Sequence, residues 1–149
     1  MDYDQSKYIV PKDCANFIYN LAPLSFISSI IALYRGHYNL FIVPLSVGCT
    51  TLLFWKEPTY GWRRNTDIII TSCGLLYQIY RVYLMKSPNI LYYFIKFLAV
   101  LSYVIGHYHY SKGRIWLSTY CHSGIHIFGN LGNIVLYVSM ESWEESTRE

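Results

Sequence analysis

Tyr38-Asn39-Leu40-Phe41-Ile42-Val43-Pro44-Leu45-Ser46-Val47-Gly48-Cys49-Thr50-Thr51-Leu52-Leu53-Phe54-Trp55 runs without a single charged side chain. Its length matches the roughly 18 to 20 residues that carry a helix across a bilayer. The apolar residues do not alternate strictly, as a strand would require, and an open sheet in lipid would leave its backbone groups unpaired. The stretch therefore reads as a membrane-spanning helix. Working outward from it, further apolar blocks at 15–34, 66–85, 89–106 and 115–140 complete a set of about five spans. Short polar links separate them: Arg35-Gly36-His37, Lys56 to Arg64, Lys86-Ser87-Pro88 and His109 to Arg114. Links this short make successive helices antiparallel. The expected fold class is all-α, a polytopic transmembrane helix bundle forming a single membrane domain over residues 1–149.

Composition points the same way. The chain is 53% hydrophobic and 14% charged, whereas a soluble domain carries about 25% charged residues. A water-soluble globule is excluded on that ground, and disorder and collagen-like repeats by the same arithmetic. Cys14, Cys49, Cys73 and Cys121 lie far apart with no CxxC spacing. They read as packing thiols, not as disulfide or zinc ligands. A net charge of +3, scattered between spans, is too small for a nucleic-acid surface, so no nucleic-acid partner is expected. The first partner is the lipid bilayer itself. Met1-Asp2-Tyr3-Asp4 lacks the basic region of a cleavable signal, so the first span serves as the insertion signal. Tyr34, Trp55, Tyr60, Trp62, Tyr108, Tyr110, Trp116 and Trp143 cluster near span ends as an interfacial belt. With five crossings, Lys7, Lys12, Lys56, Arg63, Arg64, Lys112 and Arg114 share one side. The positive-inside rule then makes this an integral, multi-pass protein with a cytosolic amino terminus, in a membrane the sequence does not name.

The last block contains the chemistry. At about 100° per residue, His122, His126, Asn130 and Asn133 fall in one narrow sector, with Leu131, Ile127 and Ile134 opposite. Lipid satisfies neither imidazoles nor carboxamides, so that sector must face the bundle or a wet cavity. Histidines at i and i+4 can both reach one metal ion. The third block has a similar seam of Asp67, Thr71, Gly74, Gln78 and Arg81. A carboxylate there needs a cation, a metal or several donors. Depth places Thr51, Trp55, Asp67, His107, His109 and His122 near one membrane face, with His126 about 6 Å deeper. Metal ligands from several spans can therefore converge, and zinc suits imidazole plus carboxylate. A plainer reading also holds: the histidines hydrogen-bond across helices, and Asp67 serves as an N-cap near Arg63 or Arg64. Lys96 reads as snorkelling toward the acidic face at Glu141, with a functional role as the alternative, His37 as a solvated link residue, and Pro23 and Pro44 as helix bends or as sites that free carbonyls for other donors.

Tyr120-Cys121-His122-Ser123-Gly124-Ile125-His126 resembles the His-Ser-x-x-His or His-x-x-x-His segment in the last helix of the CREST membrane hydrolases. That superfamily includes alkaline ceramidases, adiponectin-receptor-like proteins and GPI-lipid remodelling factors. Its second motif, Ser-x-x-x-His followed about a dozen residues later by Asp, is similar to Thr51-Leu52-Leu53-Phe54-Trp55 with Asp67. The resemblance implies a zinc held by three histidines and a water that attacks a lipid amide or ester. His122 and His126 match metal ligands, Asp67 matches the acidic residue, and Thr51 stands in the serine position. Trp55 replaces the third histidine, and the chain has five spans where the family has seven. His107 or His109 from the fourth span is the candidate substitute ligand.

Three functions follow as expectations. The first is a zinc-dependent lipid amide or ester hydrolase, or a degenerate relative of one, acting on a lipid substrate with Asp67 and Thr51 as catalytic groups. The second is a non-enzymatic protein that packs with membrane-protein partners through glycine and tyrosine faces, including Gly129-Leu131-Gly132. The third, a transporter or channel lined by Asn130 and Asn133, lacks an internal repeat.

Overall fold

Proline has no N–H to give a helix, and its ring collides with the carbonyl four residues back. Pro23 acts on the first block in this way. The computed structural model describes residues 7–85 and 89–146, the last six of these as backbone only. In it α1 (Lys12–Tyr19) stops short of Pro23, and α2 (Pro23–Tyr34) begins on it. The joint is tight, because Leu21 and Ala22 bond back three residues to the carbonyls of Ile18 and Tyr19, at 2.9 and 3.1 Å. Four helices follow: α3 (Tyr38–Trp55), α4 (Trp62–Tyr83), α5 (Ile90–Ser111) and α6 (Ile115–Ser146). All regular structure among the described residues is helical, as expected. With α1 and α2 counted as one rod, the helices coincide with the five apolar blocks.

Three of these rods, Lys12–Tyr34, Tyr38–Trp55 and Ile90–Ser111, are long and apolar enough to cross a membrane. Helices α4 and α6 have the length, at about 1.5 Å per residue, but their polar seams dilute their apolar character. The outward surface is oily: Ile30, Leu76 and Phe97 are 65%, 67% and 59% exposed. Apolar patches this broad mark a surface that meets lipid or a partner.

The packing order is an arc. Helix α4 lies on α3, α3 on α2, α2 on α6, and α6 along α5, with α1 set against α3 and α6. The two ends of the arc, α4 and α5, are neighbours in sequence yet share no extensive contact. Among the described residues they converge at the C-terminal end of α4 and the N-terminal end of α5, where Val82, Met85 and Tyr92 belong to one apolar cluster with Ala32, Leu40, Leu136, Tyr137 and Met140. A second cluster, Val10, Cys14, Ala15, Ile18, Phe54 and Trp55, closes the opposite end. The two apolar clusters thus sit at the two ends of the bundle, and the buried polar side chains lie between them among further apolar residues. Where helices do touch, small residues allow it. A Cβ on Gly48 would lie 3.0 Å from the Phe26 ring, and one on Gly124 2.7 Å from Ser102 Oγ.

Two sequence readings change here. Trp55 is 6% exposed and packs on Phe54 with ring centroids 4.9 Å apart, so it is core and not part of the interfacial belt. His37 is buried, not solvated; its Nε2 lies 3.0 Å from the Tyr137 carbonyl oxygen. Pro44 stays inside α3. Beside the carbonyl that Pro44 frees, Ser29 Oγ donates to Phe41 O at 2.8 Å. The Lys86-Ser87-Pro88 link and the side chains of Glu141, Trp143, Glu144 and Glu145 lie outside the described residues.

Candidate functional site

Inside the arc lies a cavity of about 340 Å³ walled by α3, α4, α5 and α6, with Ser25 of α2 at its floor. The predicted sector of α6 lines it: His122, His126, Asn130 and Asn133 all face in. Ile127 and Leu131, on the far side, are 47% and 45% exposed. From α4 come Asp67, Thr71 and Gln78. The other two members of that seam do different work. Gly74 is covered by Val43, whose Cγ1 lies 2.7 Å from where a Cβ would stand, and Arg81 donates to the Tyr77 hydroxyl at 3.3 Å.

Asp67 finds its partners on α3. Thr50 Oγ1 donates to Asp67 Oδ1 at 2.8 Å, and Thr51 Oγ1 reaches the same oxygen at 3.5 Å. The first is a normal hydrogen bond to a carboxylate and the second is at the limit. Asp67 therefore does not cap α4 beside the arginines; Gly61 occupies the N-cap position. Arg63 instead binds Glu57 at 2.9 Å, and Arg64 lies over the Tyr60 ring. Thr50 was not singled out from the sequence, because nothing in periodicity distinguishes it from Thr51.

The imidazoles form a tilted pair, their planes 51° apart. The His122 and His126 ring centroids are 5.4 Å apart, and Trp55 meets His122 edge-on at 4.9 Å. His126 is 7% exposed, and its Nε2 has no hydrogen-bond partner. Asn130 Nδ2 donates to Ser25 Oγ at 3.2 Å and to the His126 carbonyl at 2.8 Å, leaving its own Oδ1 unpaired. Ser25 belongs to a buried stripe with Ser28 and Ser29 on α2. That spacing of i, i+3 and i+4 is a legible signal for an inward polar face in an otherwise apolar block.

His107 and His109 do not join the pair. Gly106 takes the α6-facing position at that level, its Cβ site 3.2 Å from Cys121 Cβ, which turns the next residue away by about 100°. His107 is exposed and stacks on Tyr103 with centroids 6.5 Å apart. His109 lies against the Tyr108 ring, and neither lines the cavity. Among the described residues no group of three His, Cys, Asp or Glu side chains is disposed to hold a metal. The three-histidine zinc that the resemblance implies does not fit this donor set, because an indole, which offers only an N–H donor, packs where the third imidazole would stand.

Lys96 does not snorkel toward Glu141. It is 8% exposed, and its Nζ donates to Asn133 Oδ1 at 2.7 Å and to the Gly129 carbonyl at 2.9 Å. The Tyr92 ring lies 5.6 Å from the ammonium. The stem runs over Gly132, whose Cβ site is 2.9 Å from Lys96 Cε. Gly132 is thus a packing glycine whose contact is internal. Gly129 has open space where a Cβ would go and borders the cavity.

The fold and site together define an all-helical bundle whose interior holds a largely apolar cavity into which a few buried polar side chains project. No protein family, curated protein or solved structure matches the chain.

Proposed function

We propose that the chain is a multi-pass integral membrane protein whose cavity receives the polar head of a lipid or similar amphiphile from the bilayer. The observation that carries the reading is the combination of an unpaired polar interior with a side opening. His126 Nε2, Asn130 Oδ1 and Gln78 Nε2 are buried without partners around one cavity. Each such atom costs about 1–3 kcal/mol unless something hydrogen-bonds to it. Helices α4 and α5 flank the cavity without packing on each other, and Ile68, Leu75 and Val100 wall it on that side. A head group enters the polar floor while its tail stays among lipid. Five crossings with a cytosolic amino terminus accompany this reading. The excess of lysine and arginine that the sequence puts on the side holding the amino terminus supports that orientation.

The function is that of a degenerate relative of the CREST hydrolases that binds and does not cleave, since Trp55 stands in the third ligand position. Tail-labelled, photoactivatable lipid analogues in membranes containing the full chain test it. Labelling of α4 and α5 is expected in the native protein and is lost in Gly129→Phe, which fills the cavity from a position with room for a side chain. Unchanged labelling in that variant, with helix content preserved, refutes the reading.

A second reading, the zinc-dependent lipid hydrolase, is favoured by one observation: His122, His126, Asp67 and Thr51 border the same cavity. Near-stoichiometric zinc in protein purified without chelators, lost in His122→Ala/His126→Ala, would establish it over the first.

A further inference from the structure

The two ends of the cavity differ in chemistry. Asp67, Thr51 and His122 stand at one. Gln78 lies eleven residues further along α4, about 16 Å along the helix axis. Lys96 is six residues into α5, and Gln78 is six residues before the Leu84 C-cap of α4. Val82, four residues after Gln78, and Tyr92, four residues before Lys96, belong to one apolar cluster, which brings Gln78 and Lys96 to a similar depth. This far end has an excess of donors. When protonated, the Lys96 amine carries three hydrogens, of which two go to Gly129 O and Asn133 Oδ1. Among the described residues no carboxylate pairs with it. Gln78 is 2% exposed, and its Nε2 donates to nothing. A buried cation without an anion inside a membrane bundle is expensive, and such residues mark ligand or ion sites.

We propose that Lys96 and Gln78 bind the anionic head, a carboxylate or a phosphate monoester, of a single-chain amphiphile whose tail leaves between α4 and α5. The inference rests on the lipid-binding reading above and names its ligand class. An oxyanion accepts from the third Lys96 N–H and from Gln78 Nε2 at once, which supplies the missing counter-charge and the missing acceptor together. Asp67, a full 16 Å or so away by helix rise, does not compete for the same head. The apolar wall of Ile68, Leu75 and Val100 suits an alkyl chain. At about 340 Å³ the cavity is near the lower end of the roughly 300–1,000 Å³ of ligand pockets, which suits a small head group with the first part of one chain.

The test uses the full chain in nanodiscs of neutral phosphatidylcholine with a fluorescent single-chain probe. Hexadecanoate, hexadecyl phosphate, hexadecanol and hexadecylamine compete for it. At least one anion is expected to displace the probe at about tenfold lower concentration than hexadecanol, as a charge-assisted hydrogen bond provides. Whichever anion prevails tells a fatty acid from a phosphate lipid. Lys96→Met, which keeps the stem over Gly132, is expected to bring anions and alcohol together, whereas Lys96→Arg keeps the preference. Gln78→Leu narrows it by a few-fold and serves if Lys96→Met does not fold. Displacement by hexadecanol or hexadecylamine as good as by either anion overturns this inference and leaves lipid binding standing. A native protein that binds no probe at all overturns both.

Discussion

Alanine at Gly129 and at Gly132, three residues apart on α6, is expected to move stability in opposite directions. Alanine exceeds glycine in a helix interior by about 0.8–1.0 kcal/mol, and both positions gain that much. At Gly129 the new methyl meets nothing within 4 Å, so the gain stands at about 1 kcal/mol. At Gly132 it arrives 2.9 Å from Lys96 Cε and 3.1 Å from Cδ. The lysine stem cannot swing aside freely, because its ammonium is held at 2.7 and 2.9 Å by Asn133 and Gly129. Overpacking of this kind costs about 1–3 kcal/mol, which leaves Gly132→Ala neutral to about 2 kcal/mol destabilised. Equilibrium unfolding in mixed detergent micelles, followed by tryptophan fluorescence, measures both. A double-mutant cycle adds the cause: with Lys96→Ala in place, the penalty at Gly132 is expected to vanish. Equal shifts for the two glycines within about 0.5 kcal/mol, or a Gly132 penalty that survives removal of the lysine, would refute the packing described for Lys96.

Three further outcomes are expected. Thr50→Val removes the 2.8 Å bond to Asp67 and costs about 1.5–3 kcal/mol. Thr51→Val, at 3.5 Å, costs less than about 1 kcal/mol; the same unfolding assay would show the reverse order if Thr51 were the true anchor. His37→Ala removes the buried 3.0 Å contact with the Tyr137 carbonyl and is expected to lose about 0.5–1.5 kcal/mol, with His37→Gln recovering part. A change within about 0.5 kcal/mol, the usual surface value, would mean that His37 is solvated after all. Finally, Trp55→His is expected to raise zinc content toward one ion per chain, above that of the native protein, by elemental analysis; equal content in both would remove Trp55 from the third ligand position.

Much of the architecture is legible from local pattern. Block length and lack of charge locate the helices, and Pro23 breaks the first where its geometry demands. The spacing of His122, His126, Asn130 and Asn133 foretells one inward sector, since a side chain's angle about its own helix follows from its position in the chain. The same rule is silent on how that helix is rotated against its neighbours and on which neighbours it has. For this reason the sequence does not separate Thr50 from Thr51 as the partner of Asp67.

Helices α4 and α5 are consecutive, and short links suggest they pack together. Only the assembled arc separates them and leaves the cavity open on one side. Gly106 against Cys121 turns His107 outward, Trp55 sinks into the core against His122, and Lys96 bends inward to Asn133 and not toward the helix end. Each of these depends on contacts between residues far apart in the chain. The sequence by itself determined the helices and their polar stripes, because those arise from bonds and angles within a few residues. Tertiary structure alone decided which stripes meet, because that is settled by close packing between whole helices.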